Sequence, residues 1–444
     1  MAVPSLAPAS DRPSAEPASA LARAAEQLAG YGPALIILTL PLEFTALYLR
    51  QPLVRWVLVL VAAALGYLLL TRRRTLVLPR QASAIWLGCF VVVALVSWAA
   101  THAPASLRQL ADVALYPLFG LVVMNLVRTG DDSRRAWIAF LVSGLAVAVL
   151  GFLLNVTHHT IWAPNPVVAN RLNITFADPN ITARFLTLSA VAAAILFASR
   201  RGPAWLCAAS AAACAVVVPM TYSRSGLALF AISLVIAAAV VAGRRRAFAF
   251  VFCVLAIFVL STAINPVTRQ RALDAESTLV STVTGTAANL SAPAPAAGGD
   301  TFALEDNRRY LIKAGINMFI DHPLAGVGYG GFQHAMGTTY RSLIPSGIPN
   351  PDLASHTAFV TIAAELGMIG IALMLIFLTQ LGREAFAWRL RTWSLLPAIV
   401  IVPIILYSQF EGRLVEEPYL WLCLGLFYAS ARARPSPQMS SHTM

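Results

Sequence analysis

The sequence AFAFVFCVLAIFVLSTAI, residues 247–264, contains no charged side chain and directly follows three arginines at 244–246. A run of this kind suits a helix that crosses a bilayer, which takes about 20 mostly apolar residues. The whole chain has the same character, because 58% of it is hydrophobic and 12% is charged, whereas a soluble domain is roughly 25% charged. Lipid is therefore the expected solvent, and the predicted fold is an all-α polytopic membrane protein.

Runs of this type recur along the chain and predict about twelve transmembrane helices, with both termini on the same side. The predicted organisation is a disordered cytoplasmic tail at 1–30, nine helices within 31–264, a long outer loop at 265–356, three helices within 357–431 and a cytoplasmic tail at 432–444. The twelve runs lie at 31–49, 52–71, 82–101, 109–127, 136–156, 181–199, 203–220, 225–242, 247–264, 357–380, 394–410 and 417–431.

The arginines set the predicted orientation. With the N-terminus inside, the short inner loops hold most of them, while the short outer loops hold Arg108, Arg171, Arg224 and Arg413, as the positive-inside rule requires. The net charge of +12 does not indicate nucleic-acid binding, because the positive residues are dispersed between apolar runs rather than gathered on one face. The five cysteines all fall inside apolar runs, and this placement predicts neither disulfides nor a metal site.

The outer loop is predicted to contain one amphipathic helix. Residues 276–300 are rich in Ser, Thr, Ala, Pro and Gly and have the composition of a flexible linker. The following stretch, EDNRRYLIKAGINMFIDHP at 305–323, places apolar residues at Leu311, Gly315, Met318 and Phe319. This spacing predicts a helix that lies at the membrane surface and ends before Pro323.

Three arginines at the outer boundary are candidate ligands of an anion. Arg224 lies in the turn TYSRSG (221–226), where the alternative is contact with lipid phosphates. Arg184 lies in ADPNITARF (177–185) and has a second interpretation, an ion pair with a membrane acid such as Glu43 or Asp112. Arg308, at the start of the predicted amphipathic helix, has simple solvation as its alternative.

His356 directly precedes the tenth predicted helix and is the candidate general base, since imidazole titrates near neutral pH. Helix capping is the alternative role. Glu365 lies nine residues further along the helix, too deep to orient His356, and is expected to have a structural or packing role. The segment GVGYGG (326–331) lacks the lysine of a nucleotide-binding loop and predicts a tight turn beside a ligand.

Arginine forks suit phosphate oxygens, and no paired acidic motif stands at the outer boundary to hold a divalent metal. Several arginines and one histidine at this depth therefore indicate a lipid diphosphate as donor and a hydroxyl as acceptor. The donor would have to arrive already activated, because the outer compartment supplies no ATP.

Three stretches in this order resemble the O-antigen ligase/polymerase family of bacterial envelope glycosyltransferases. They are TYSRSG, NRRYLIKAGINMFIDHPLAGVGYGGF (307–332) and SHTAFVTIAAELGMIG (355–370). The resemblance assigns His356 as the base and Arg308 and Arg224 as diphosphate binders. Arg184 is a further candidate diphosphate ligand, from its place at the boundary and not from the resemblance. Thr357 stands where the family often has asparagine. Possible supporting residues are Ser223, Asp178, Asn180 and Glu365.

The resemblance implies a metal-independent, inverting glycosyltransferase of the inner membrane, without a cofactor and with a type-C-like membrane fold whose site faces the periplasm. A ligase would move a glycan from undecaprenyl diphosphate to a sugar hydroxyl of the lipid A core. The alternatives are a polymerase of O-antigen or exopolysaccharide, which uses a lipid-linked repeat unit as acceptor, and a transporter of lipid-linked sugars. The candidates at one boundary favour an enzyme over a transporter, whose sites usually lie near mid-membrane.

Overall fold

The computed structural model describes residues 19–102, 107–162, 171–241, 243–270, 309–344, 355–388, 392–412 and 414–431. The described chain is 80% helix, and these ranges contain no strand. The helices are α1 (Ala20–Thr39), α2 (Ala46–Leu49), α3 (Leu53–Leu70), α4 (Ala82–Thr101), α5 (Leu107–Leu126), α6 (Gly130–Thr157), α7 (Pro179–Ala198), α8 (Ala204–Val217), α9 (Arg224–Val240), α10 (Arg244–Ile264), α11 (Arg309–Asp321), α12 (Phe332–Gly337), α13 (Ala358–Ala387), α14 (Thr392–Glu411) and α15 (Pro418–Ser430).

The chain is a multi-pass membrane protein. In the ranges that the structure describes, eight helices are long and apolar enough to cross a membrane, among them α6, α7, α10 and α13. A further candidate is broken, because α1 and the segment Glu43–Leu49 meet at an angle of 90°. Shorter apolar helices are α9, α15 and Leu395–Glu411 of α14. The count of twelve spans and the periplasmic placement of the long loop stay predictions.

The predicted N-terminal boundary is wrong. Residues 20–30 are not a disordered tail but the first part of α1, and the Ser19 side chain caps this helix by accepting from the Ala22 N–H (3.2 Å). Ala22, Ala25 and Ala29 are buried, and α1 packs against α3 and α6. Small alanine side chains let helices approach closely without a long apolar run, so a search for apolar runs misses this segment.

Helix α7 lies at the centre of the bundle. In α7, 89% of the apolar window is buried inside the protein, against 22% for α3 and α4. Its sequence alternates Ala, Ser and Thr with larger residues, and small side chains of this kind allow α6, α8 and α9 to pack closely around it. The polar side chains between residues 182 and 189 of α7 are therefore buried inside the protein, namely Thr182, Arg184, Thr187 and Ser189.

Helix α11 forms as predicted, but the face that was expected to lie on the membrane surface packs against protein instead. Leu311, Gly315 and Met318 are buried rather than turned to a membrane surface, and α11 packs on α13 and α12. The stripe that stays exposed is Ile312, Ile316 and Ile320. A helix with apolar side chains on two faces satisfies two hydrophobic partners, and the spacing alone does not say which face meets protein.

The glycine-rich segment after α11 docks into a break in α13. Gly367, in the ELGMIG motif, has a φ of 60° inside the helix. Backbone hydrogen bonds run from Val327 N to Ala364 O (2.8 Å), from Gly328 N to Glu365 O (3.0 Å) and from Met368 N to Pro323 O (2.8 Å). The segment is therefore a set of tight turns, and its carbonyls and amides pair with the backbone groups that the break leaves open.

The orientation that the positive-inside rule predicts can be tested by thiol labelling. In a cysteine-free background, Lys313→Cys on α11 should react with a membrane-impermeant thiol reagent in cells with a permeabilised outer membrane, whereas Arg245→Cys at the start of α10 should not. Both side chains are exposed, so accessibility from the two compartments is the difference measured. Labelling of Arg245→Cys alone would invert the orientation.

Candidate functional site

The N-terminal ends of α7 and α9 are joined by a polar network. Asp178 caps α7 by accepting from the Asn180 N–H (2.6 Å), and the Asn180 side-chain oxygen accepts from the Ser223 hydroxyl (2.7 Å). The same oxygen accepts from Arg171 Nη2 (3.0 Å), whose Nε donates to the Thr221 carbonyl (3.3 Å). Three of the predicted supporting residues thus act together, and they fix the turn that precedes Arg224.

Arg224 is the first residue of α9, and the preceding turn explains its placement. Ser223 is the N-cap, its hydroxyl accepting from the Gly226 N–H (3.0 Å), while Tyr222 adopts a left-handed conformation with a φ of 52°. The Arg224 side chain is half-buried and follows the buried Ser223 in the chain. Arg224 is the first residue at the N-terminal, positive end of the α9 dipole, and an end of this kind suits an anion.

Helix α14 packs against both α7 and α9 near this end. Tyr407 is fully buried, and its hydroxyl hydrogen-bonds to the Thr187 hydroxyl (2.7 Å) and donates to the Gly226 carbonyl (3.4 Å). One side chain therefore links the central helix to the turn that carries Arg224. Sequence reasoning gave no sign of this role, since a tyrosine in an apolar run reads as a packing residue.

Arg184 is engaged by two carboxylates. It is only 4% exposed, its Nη2 lies 2.7 Å from Glu417 Oε2, and its Nη1 contacts Glu411 Oε2. The alternative of pairing with an acid is confirmed, but the acids come from the ends of α14 and α15, not from Glu43 or Asp112. A contact with a diphosphate stays a prediction that these ion pairs disfavour, because two negative charges already surround the guanidinium.

His356 lies beside the C-terminal end of α14. A Cβ placed on Gly412, the residue after α14, would lie 1.9 Å from the Ser355 carbonyl oxygen and 3.1 Å from His356 Cα. The Phe359 N–H donates to Gln409 Oε1 (3.4 Å). The segment that carries His356 therefore packs on the helix whose side chains reach Arg184 and the α9 turn, and the His356 side chain is half-buried.

Two predicted site residues remain, Glu365 and Arg308, and the structure describes only Glu365. Glu365 is buried, and its carboxylate accepts from the Phe332 N–H (3.2 Å) and from the Gly330 backbone, so it holds the glycine-rich turns as a structural residue. Arg308 lies outside the described residues, and its role stays a prediction. Within the described ranges, no group of three or more His, Cys, Asp or Glu side chains is placed to hold a metal ion.

Two acids at the site, Glu411 and Glu417, were missed from the sequence. They stand in QFEGRLVEEPY (409–419), at the ends of two apolar runs, where acidic residues look like ordinary loop residues. The one available signal was Arg184, because a guanidinium inside a helix bundle requires an anion. That signal predicts an acidic partner but does not say which acid supplies it. Only the fold brings α7 and the α14–α15 connection together.

Residues 209–375 match the family model described as O-antigen ligase. The matched segment covers less than half of the chain, from within α8 to within α13, and includes Arg224 and His356 but neither Arg184 nor Asn180. The match confirms the resemblance expected from the sequence motifs. Among curated proteins, no match was found.

Proposed function

With an O-antigen ligase segment at residues 209–375 as the premise, we propose that this protein is a glycosyltransferase that moves a glycan from undecaprenyl diphosphate to a sugar hydroxyl of the lipid A core. The observation that carries the proposal is the convergence of the Arg224 turn and the His356 segment on α14, at one end of the bundle. By the positive-inside rule this end faces the periplasm, and the membrane is the bacterial inner membrane.

In the proposed reaction, His356 accepts the proton of the acceptor hydroxyl, and the oxygen attacks the anomeric carbon of the donor glycan. The new C–O bond forms on the face opposite the leaving group, the bond to the diphosphate oxygen breaks, and the configuration inverts. Arg224 and Arg308 stabilise the charge that develops on the diphosphate. The leaving group departs as undecaprenyl diphosphate, and no metal or cofactor takes part.

An apolar groove beside the Arg224 turn supports a lipid-linked donor. The groove has a cavity volume of about 510 Å³ and begins at Pro219 and Met220, just before the turn. The lining continues along α10 with Ile257, Leu260 and Ile264. A diphosphate at Arg224 would leave its isoprenoid chain next to this surface, so we assign the groove to the first part of that chain.

The test of function is reconstitution. Purified protein in nanodiscs, supplied with an undecaprenyl-diphosphate glycan and lipid A–core, should produce glycosylated lipid A–core, with or without EDTA. A deletion strain should show lipopolysaccharide with an intact core and no ladder.

If the protein were a polymerase, its deletion would instead leave a core that carries a single repeat unit. This second candidate function rests on the same family match, because the match at residues 209–375 does not identify the acceptor. Movement of the lipid-linked glycan between leaflets without a new glycosidic bond would mark a transporter and overturn the proposal.

Replacement of Arg224 should weaken use of the donor. Lysine keeps the charge but loses the fork that contacts two phosphate oxygens, so Arg224→Lys should lower kcat/KM for the donor by about tenfold to a hundredfold. The measurement is donor affinity together with single-turnover transfer. Arg244→Lys, at the opposite end of the bundle, is the control. An unchanged donor affinity in Arg224→Lys would remove this residue from the diphosphate site.

The groove predicts dependence on chain length. Leu260→Trp, which fills it, should lower kcat/KM by about tenfold for the undecaprenyl donor and little for a donor with a short isoprenoid chain. Val259→Trp is the matched control, since Val259 and Leu260 are both 61% exposed on α10 but Val259 is not part of the groove lining. Equal effects of the two substitutions would contradict the assignment.

A further inference from the structure

The Arg184 ion cluster joins the two ends of a short connection. Glu411 is the last residue of α14, and Glu417 is the N-cap of α15, where its side chain also accepts from the Tyr419 N–H (3.4 Å). Both carboxylates meet the one guanidinium that α7 provides. The described residues of the connection between them, Gly412 and 414–416, therefore lie between two carboxylates that are both held by the buried central helix α7. We call these described residues the 412–416 turn.

The 412–416 turn is in contact with the backbone of the candidate base. Gly412 has a φ of 72°, and its α-carbon faces Ser355 and His356 so closely that an added methyl group would meet the Ser355 carbonyl oxygen at 1.9 Å. That close approach requires glycine. The position of Gly412 follows directly from Glu411, its neighbour in the chain, and Glu411 is held by Arg184.

The other side of the turn is anchored to the glycine-rich segment. The Tyr329 hydroxyl donates to Glu416 Oε1 (2.6 Å), and the Tyr329 N–H donates to the Ser97 hydroxyl (3.3 Å). Burial and the neighbouring Glu416 carboxylate raise the pKa of Tyr329 well above its ordinary value, so the phenol stays a hydrogen-bond donor. The turn thus has one face on Tyr329 and the other on the His356 segment.

We propose that Arg184 is a positioning residue for His356 and not a ligand of the donor diphosphate. Through Glu411 and Glu417 it fixes the 412–416 turn, and through Gly412 the turn fixes the backbone from which His356 projects. Two carboxylates offset the charge of Arg184 and would repel a diphosphate brought to the same place. This inference rests on the proposed role of His356 as the base.

The experiment compares full-length variants in nanodiscs, with undecaprenyl diphosphate as the binding probe and single-turnover transfer as the rate. Arg184→Lys, Glu417→Gln and Gly412→Ala should each leave the Kd of the probe within about threefold of wild type. Each should slow transfer by about tenfold to a hundredfold, because a misplacement of about 1 Å has an effect of that order. Gly412→Ala leaves the ion cluster intact, so it tests the same link if an Arg184 variant does not fold.

Double variants separate positioning from a general loss of structure. In a His356→Ala background, Arg184→Lys and Gly412→Ala should cause no further loss of rate, since the base whose position they set is gone. A general structural role would slow both backgrounds equally. Arg74→Lys is the control, because Arg74 is also a buried arginine, paired with Glu26, in the loop that follows α3. It should lower stability without this dependence on His356.

Two results would overturn the inference. One is a tenfold or greater loss of probe affinity in Arg184→Lys with an unchanged rate at saturation, which would make Arg184 a diphosphate ligand. The other is an equal loss of rate with and without His356. Failure of the proposed function is seen separately, as absence of transfer by the wild-type protein.

Discussion

Removal of the His356 imidazole should slow glycan transfer by about 10²–10⁴-fold while leaving donor affinity nearly unchanged. The structure supports a separation of these two effects, because His356 projects from the segment beside Gly412 whereas Arg224 belongs to the turn before α9. The measurement is single-turnover transfer and binding of undecaprenyl diphosphate by His356→Ala. His334→Ala is the matched control, because His334 is an exposed histidine of α12, in the same segment between α10 and α13.

The pH dependence gives a second measure of the same role. A base must be neutral to accept a proton, so transfer by the wild-type protein should fall on the acid side of its pH profile. The acid limb should disappear from the residual rate of His356→Ala. If His356→Ala transfers at nearly the wild-type rate, the base lies elsewhere. If donor binding is lost and the saturated rate is kept, His356 is a phosphate contact.

Most of the fold was predictable because the signals for membrane helices are local. An apolar run of membrane length, as in α10, or an N-cap such as Ser223 or Asp178 depends on a few neighbouring residues. The start of α1 was not predictable in this way. Its alanines are stabilised by contacts with α3 and α6, and such contacts leave no apolar run in the sequence.

The site was predictable as a set of residue types but not as a set of partners. Arg184 was recognised as a buried charge that needs an anion, yet its partners, Glu411 and Glu417, lie more than two hundred residues away. Likewise the apolar spacing of α11 predicted a helix, but it did not show that the face with Leu311 and Met318 packs against protein and not on a membrane surface. In both cases the missing information is which surfaces meet in three dimensions, and no local pattern contains it.

The docking of the glycine-rich segment into α13 predicts the largest loss of stability. Gly326 has a φ of 67°, and a methyl group on it would lie 2.3 Å from the Glu365 carbonyl carbon and 2.5 Å from the Ala364 carbonyl oxygen. Both are backbone atoms, so no side chain can move aside. Left-handed backbone conformation alone costs alanine about 1–2 kcal/mol, and with the clash we expect Gly326→Ala to lower the free energy of unfolding by about 2–4 kcal/mol.

The matched control is a glycine of α13, the helix onto which the segment docks. Gly382 has no atom within 4 Å of the position an added methyl group would take. It is helical, so Gly382→Ala should be neutral or stabilising by about 0.5–1 kcal/mol. Unfolding in detergent, followed by the loss of helical circular dichroism, measures both variants. Gly326→Ala should also slow transfer, because Tyr329 and the 412–416 turn depend on the docked segment. If both variants unfold alike, the segment does not occupy the break at Gly367, and the contact between Tyr329 and Glu416 loses its support.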